Sequence, residues 1–170
     1  TKIVFDDAGK IDRIVALERN DAHRIIEECR IAANVAAARF LQRNKLPFLY
    51  RVHEEPDAEK IIAVRAFLAE LGLQLSGGTR PQAEHFAKLL SKIQDRPDRH
   101  LIETVQLRSL QQAQYSPDNC GHFGLAHAAY AHFTSPIRRY PALLEHRAIR
   151  HAAEGGDSVR FVSDHPRMVH

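Results

Sequence analysis

A chain of 170 residues, 44% hydrophobic and 26% charged, is long enough to bury a core and ordinary for one globular domain. Lysine and arginine outnumber aspartate and glutamate by 24 to 21, a net charge of +3, which permits a nucleic-acid partner without demanding one. Two cysteines without ligand spacing exclude a disulfide framework, and the absence of any apolar run of ~18 residues excludes a membrane-spanning helix, so a reducing cytoplasm is the expected compartment.

In chain order, residues 2–5 and 11–17 are rich in β-formers and flank the turn DDAGK, which predicts a hairpin. The segment 20–44 is the strongest helix signal, with Asn20 or Asp21 as its cap. Its apolar spacing puts Ile25, Cys29, Ala32, Ala33, Ala36 and Phe40 on one face, predicted to be buried. Asn20, His23, Glu27 and Asn34 fall on the opposite arc, where a solvated polar stripe is expected. FLYRVH, 48–53, reads as a short strand after Pro47. Pro56 opens a helix to about residue 71, stopped by Gly72. SGGT at 76–79 is a loop, and helices follow over 81–94 and 98–114. Residues 115–134 are mixed, broken by Pro117, Gly121 and Gly124. A last helix is expected over 136–153, although Pro141 inside it implies an irregular first turn or a later start. The tail from 154 shows no periodicity and is expected to be flexible.

HFTSPIRRY, residues 132–140, has the clearest chemistry. Ser135 can cap a helix and Pro136 fits its first turn. Arg138 and Arg139 would then stand at the positive end of the helix dipole, where two guanidinium forks suit a phosphate. The plainer reading is a capped helix whose arginines meet solvent. His122, His127 and His132 are spaced by five, which does not match the i, i+4 metal pair of a helix. Phe123 and Phe133 suit either base stacking or core packing, and Tyr140 either packs or supports the arginine turn. Asn119, in SPDN, reads as a turn residue.

NDAHRIIEECRIAAN (20–34), SPDNCGHFGL (116–125) and HFTSPIRRY (132–140), in that order, resemble the catalytic domain of the ribonuclease II/ribonuclease R family, nearest its bacterial ribonuclease R branch. The resemblance runs over about residues 1–153. It implies a processive 3′→5′ exoribonuclease acting on single-stranded RNA, with Mg²⁺ held by an aspartate-rich segment. The aspartates here are scattered apart from Asp6-Asp7, which sit in the hairpin turn, so the metal ligands are expected outside this chain and no metal residue is assigned within it.

The fold implied is α+β and mainly helical: a short hairpin followed by about five helices, an incomplete piece of a larger catalytic domain. By resemblance Arg138 contacts the phosphate at the cleavage point and Arg139 a neighbouring backbone position. Glu27, with Glu28 as fallback, lies near the 3′-terminal nucleotides. Asn34, His122 and Tyr140 are expected as further RNA contacts. Where the family usually carries an aspartate, this chain has Ala142, a loss for which Glu145 could compensate by holding Arg139 or Arg147. The remaining domains of the enzyme are expected partners, and an exposed sheet edge invites self-association. The piece alone is expected to be inactive; the alternative is a non-catalytic RNA-binding or regulatory module.

Overall fold

The structure is a computed structural model and describes residues 2–15 and 20–156. The expected tail lies, from residue 157, outside the described residues, as do residues 16–17 of the expected second strand. Two antiparallel strand pairs and five α-helices are present among the described residues, the α+β, mainly helical architecture expected.

The chain divides into two compact units, 1–33 and 34–170. In the first, β1 (Lys2–Phe5) pairs with β2 (Ile11–Val15), with an irregularity between Val4 and Phe5. The turn is built by Asp6, whose Oδ1 accepts from the backbone N–H of Ala8 (3.0 Å) and Lys10 (2.8 Å). This is the turn chemistry of a short acid, so Asp6 serves the hairpin. Ile3, Phe5, Ile11 and Ile14 remain exposed.

Helix α1 (Asp21–Arg43) crosses the boundary between the units. Asn20 caps it, its Oδ1 accepting from His23 N–H at 3.1 Å. The buried face is not the predicted one. Asn34, Val35, Ala37, Ala38 and Leu41 are buried, while Ile25 and Phe40 are exposed. Apolar residues stand on both arcs of this helix, Val35, Ala37, Ala38 and Leu41 on the buried one and Ile25, Cys29, Ala32, Ala36 and Phe40 on the exposed one, so spacing alone does not select the buried face. Glu27, in the first unit, is half-buried.

The second unit continues with β3 (Tyr50–Val52), α2 (Ala58–Glu70), α3 (Ala83–Lys92) and α4 (Arg99–Ser109). Gly72, at φ 69°, ends α2 as expected. Helix α4 stops before the predicted residue 114, because Gln114–Ser116 form β4, antiparallel to β3 with Arg51 opposite Tyr115. A 3-10 turn over Phe123–Leu125 leads to α5 (Tyr140–Ala153).

Two hydrophobic clusters hold this unit. One joins Ile61, Val64 and Leu68 of α2 to Leu75, to Phe86 and Leu89 of α3, and to Ile93 and Ile102, with Phe123 packed against it. The other joins Ala38 and Leu41 to Leu46, Phe48, Ala129, Ala131 and Ala148 of α5. No helix among the described residues is long and apolar enough to cross a membrane.

Candidate nucleic-acid interface

The segment 130–134, which feeds the two arginines, is fastened from several sides. Arg51 N–H donates to Tyr130 O at 2.9 Å. Asn34 Nδ2 donates to the Tyr130 hydroxyl at 2.8 Å, and Asn34 Oδ1 accepts from Thr134 N–H at 3.0 Å. Glu145 Oε1 accepts from His132 N–H at 3.3 Å, and His146 Nε2 lies 2.9 Å from Phe133 O. The Phe133 and His146 rings stack at 4.1 Å. Phe133 therefore packs, as does Phe123, edge-on to Phe86 at 5.8 Å.

These contacts relocate two sequence expectations. Asn34, expected on a solvated face, is 3% exposed with both ends of its amide engaged, so it braces the segment from inside. Glu145 does not reach out to Arg139 or Arg147 in place of the carboxylate missing at Ala142. Ala142 and Glu145 lie three residues apart on the buried face of α5, and both are 0% exposed. Glu145 Oε2 has no hydrogen-bond partner among the described residues. Burial pushes its carboxyl up to about 7, against the opposing pull of the His132 N–H.

The predicted helix start at Ser135-Pro136 is also corrected: α5 begins at Tyr140, with Arg139 as its N-cap residue and no side-chain cap. Pro141 explains this. It has no N–H to donate and its ring would clash with the carbonyl four residues back, so it is accommodated in a first turn and not in a second. Residues 136–138 form a turn outside the helix. Ile137, Arg138 and Tyr140 are exposed and Arg139 is half-buried. At 61% exposure Tyr140 is not a core residue.

The charge around this turn is one-sided. The ion pairs among the described residues use neither Arg138, Arg139 nor Arg51. His132 sits among all three: burial first, then Arg139, Arg51, His122 and Arg138, push its imidazole down to about 4, so it is neutral near pH 7. Its Nδ1 lies 2.7 Å from the Tyr115 hydroxyl, and the Arg51 guanidinium lies over the Tyr115 ring, 4.8 Å from its centre. His122 is likewise pushed to about 4 by burial, then by His53, with Arg51 and His127 adding to it. Its Nδ1 accepts from Leu125 N–H at 3.2 Å. A cavity of about 420 Å³ opens beside it, lined in part by His53, Cys120, Phe123 and His127.

Sequence reasoning missed Arg51, Tyr115 and His132 as members of this arrangement. An arginine in a short strand looks like any solvated arginine, and the strand that places Tyr115 opposite it lies 64 positions later, read as helix end and mixed segment. Among the described residues no group of three or more His, Cys, Asp and Glu side chains is placed to hold a metal ion.

Known proteins resemble this chain over most of its length. The family model described as RNB domain matches residues 1–155. Ribonuclease R of Escherichia coli strain K12 is 53% identical over 150 residues, which is 88% of this chain and 18% of that protein. Ribonuclease R of Vibrio cholerae is 54% identical over 151 residues, 89% of this chain and 18% of that protein. Among solved structures, Mycoplasma genitalium RNase R in complex with ribose-methylated single-stranded RNA matches with a TM-score of 0.80 at 31% identity, covering 88% of this chain and 24% of that one. In complex with double-stranded RNA the same protein gives 0.81, with 27% of that chain covered. The chain thus spans about a fifth of the length of the curated relatives it matches.

Proposed function

Because this chain belongs to the RNB domain family, we propose that it is the phosphate-gripping part of a 3′→5′ exoribonuclease that hydrolyses single-stranded RNA. One observation carries the reading. Arg138 and Arg139 stand before α5 without a carboxylate partner among the described residues, on a segment braced by buried Asn34 and Glu145. Like charges gathered at the positive end of a helix repel unless an anion joins them. An RNA backbone supplies that anion.

In this reading Arg138 neutralises charge on the phosphoryl oxygens as the phosphodiester is cleaved. It moves no proton, since arginine stays charged. Arg139 holds a neighbouring phosphate. The exposed Tyr140 offers a ring on which a base of any identity can stack. His122, neutral, makes a polar contact at most. Glu27 accepts hydrogen bonds from ribose hydroxyls, including the 2′-OH that separates RNA from DNA. Asn34 acts through the loop it holds, without touching RNA. The described residues do not fit a divalent ion. The Mg²⁺ of such an enzyme would have its ligands outside them, and none of the steps assigned here passes through it. On this reading the 170-residue chain by itself does not cleave RNA.

The test is Arg138→Ala in the complete enzyme. Turnover should fall by roughly 10²–10³, with a much smaller loss of affinity for a single-stranded oligonucleotide. Unchanged turnover would remove Arg138 from the chemistry and the reading with it.

A further inference from the structure

We propose that Arg51 is a third phosphate ligand of this interface, pre-set by Tyr115 to hold the RNA backbone next to the position gripped by Arg138 and Arg139. The inference rests on the phosphate-gripping reading above and extends it to a residue on a different element.

The placement follows from strand pairing. Arg51 of β3 and Tyr115 of β4 are direct cross-strand partners, so their side chains leave the same face of the ribbon. The guanidinium settles over the ring at 4.8 Å. The ring is itself anchored, because its hydroxyl meets His132 Nδ1 at 2.7 Å. His132 belongs to the segment that leads to Arg138 and Arg139, and its own N–H is held by Glu145. One chain of contacts therefore connects Arg51 to the arginine turn.

The electrostatics point the same way. Arg51, Arg138 and Arg139 all act on the His132 imidazole, and Arg51 also acts on His122. None of the three has an acidic partner among the described residues, and Glu55, three residues beyond the end of β3, is paired with Arg80 at 3.6 Å. All three positive charges act on the same imidazole, so each of them favours an anion brought beside it. A guanidinium already stacked on an aromatic ring loses little freedom when it binds. Arg51 thereby offers a phosphate a fixed fork, where a free surface arginine would offer a mobile one.

The decisive measurement is the salt dependence of binding of a fluorescent single-stranded oligonucleotide to the complete polypeptide. Each phosphate contact on a single strand contributes about 0.7 to the slope of log K against log salt. Arg51→Ala should lower that slope by about 0.7 and weaken binding to every sequence alike. Arg51→Lys should restore the slope, and Tyr115→Phe, which keeps the ring, should leave it unchanged. A role limited to packing on Tyr115 would shift thermal stability and leave the slope alone. If Arg51→Ala and Arg51→Gln both fold with the parent's slope while Arg138→Ala lowers it, Arg51 is not a ligand and the interface stands without it. If Arg138→Ala and Arg139→Ala also keep the parent's slope, the phosphate-gripping reading falls and this inference falls with it.

Discussion

Around α2, α3 and α4 the interior is filled by Ile61, Val64, Leu68, Leu75, Phe86, Leu89, Ile93 and Ile102. Around the second half of α1 and α5 much of it is alanine, namely Ala38, Ala129, Ala131, Ala142 and Ala148, with Asn34 and Glu145 buried beside them. The first is a store of apolar area, contributing roughly 1.5–3 kcal/mol for each large side chain withdrawn from water. The second contributes less area per residue. Small side chains let backbones approach closely, and two polar groups can then reach across to fix the N–H groups of His132 and Thr134. The bulky cluster holds the unit together, and the alanine cluster aims the segment that carries Arg138 and Arg139.

That contrast can be broken by substitution. The largest effect on stability is expected at Leu68, 1% exposed in the bulky cluster. Leu68→Ala should cost about 2–5 kcal/mol in denaturant unfolding, with RNA affinity per folded molecule unchanged. A loss of affinity as large as the loss of stability would show that the two clusters do not divide the work.

Next comes Glu145. An ordinary glutamate titrates near 4.5 and this one near 7. Between those values the folded chain keeps a proton that the unfolded chain has released. Stability should therefore fall as pH rises through this window and stay low above it, by an amount on the order of 3 kcal/mol. Glu145→Gln removes the titration, so the variant should be the more stable protein at about pH 8 and lose that advantage near pH 4. A parent whose stability does not fall across the window would mean that Glu145 is not buried as described.

The smallest of these effects is expected at Asn34. Asn34→Ala leaves the Thr134 N–H and the Tyr130 hydroxyl without their partner, a cost of about 1–3 kcal/mol. Here RNA affinity should drop although no ligand contact is lost, the opposite of the Leu68 result. Unaltered affinity in folded Asn34→Ala would show that the brace does not aim the arginines.

Much of the fold was legible because it rests on local rules. The Asp6 turn, the Asn20 cap and the Gly72 stop each follow from one residue's own conformational or hydrogen-bonding limits. Pro141 even signalled the late start of α5, though Ser135-Pro136 offered a competing one. Two elements were misread where local rules are silent. The face of α1 could not be chosen because apolar residues stand on both of its arcs, and the end of α4 yielded to strand pairing with β3, a partner remote in sequence.

The site divides along the same line. The adjacent pair Arg138 and Arg139 and the fold class were written in the chain, because a proline step and a run of like charges constrain only their neighbours. Which cations share a surface was not. Arg51, Tyr115 and His132 come together through cross-strand register and a hydrogen bond between residues 17 positions apart. Asn34 turns inward to brace a backbone 100 positions away. Charge and hydrogen bonding act through space over a few ångströms, and only the packed structure decides which distant residues come that close.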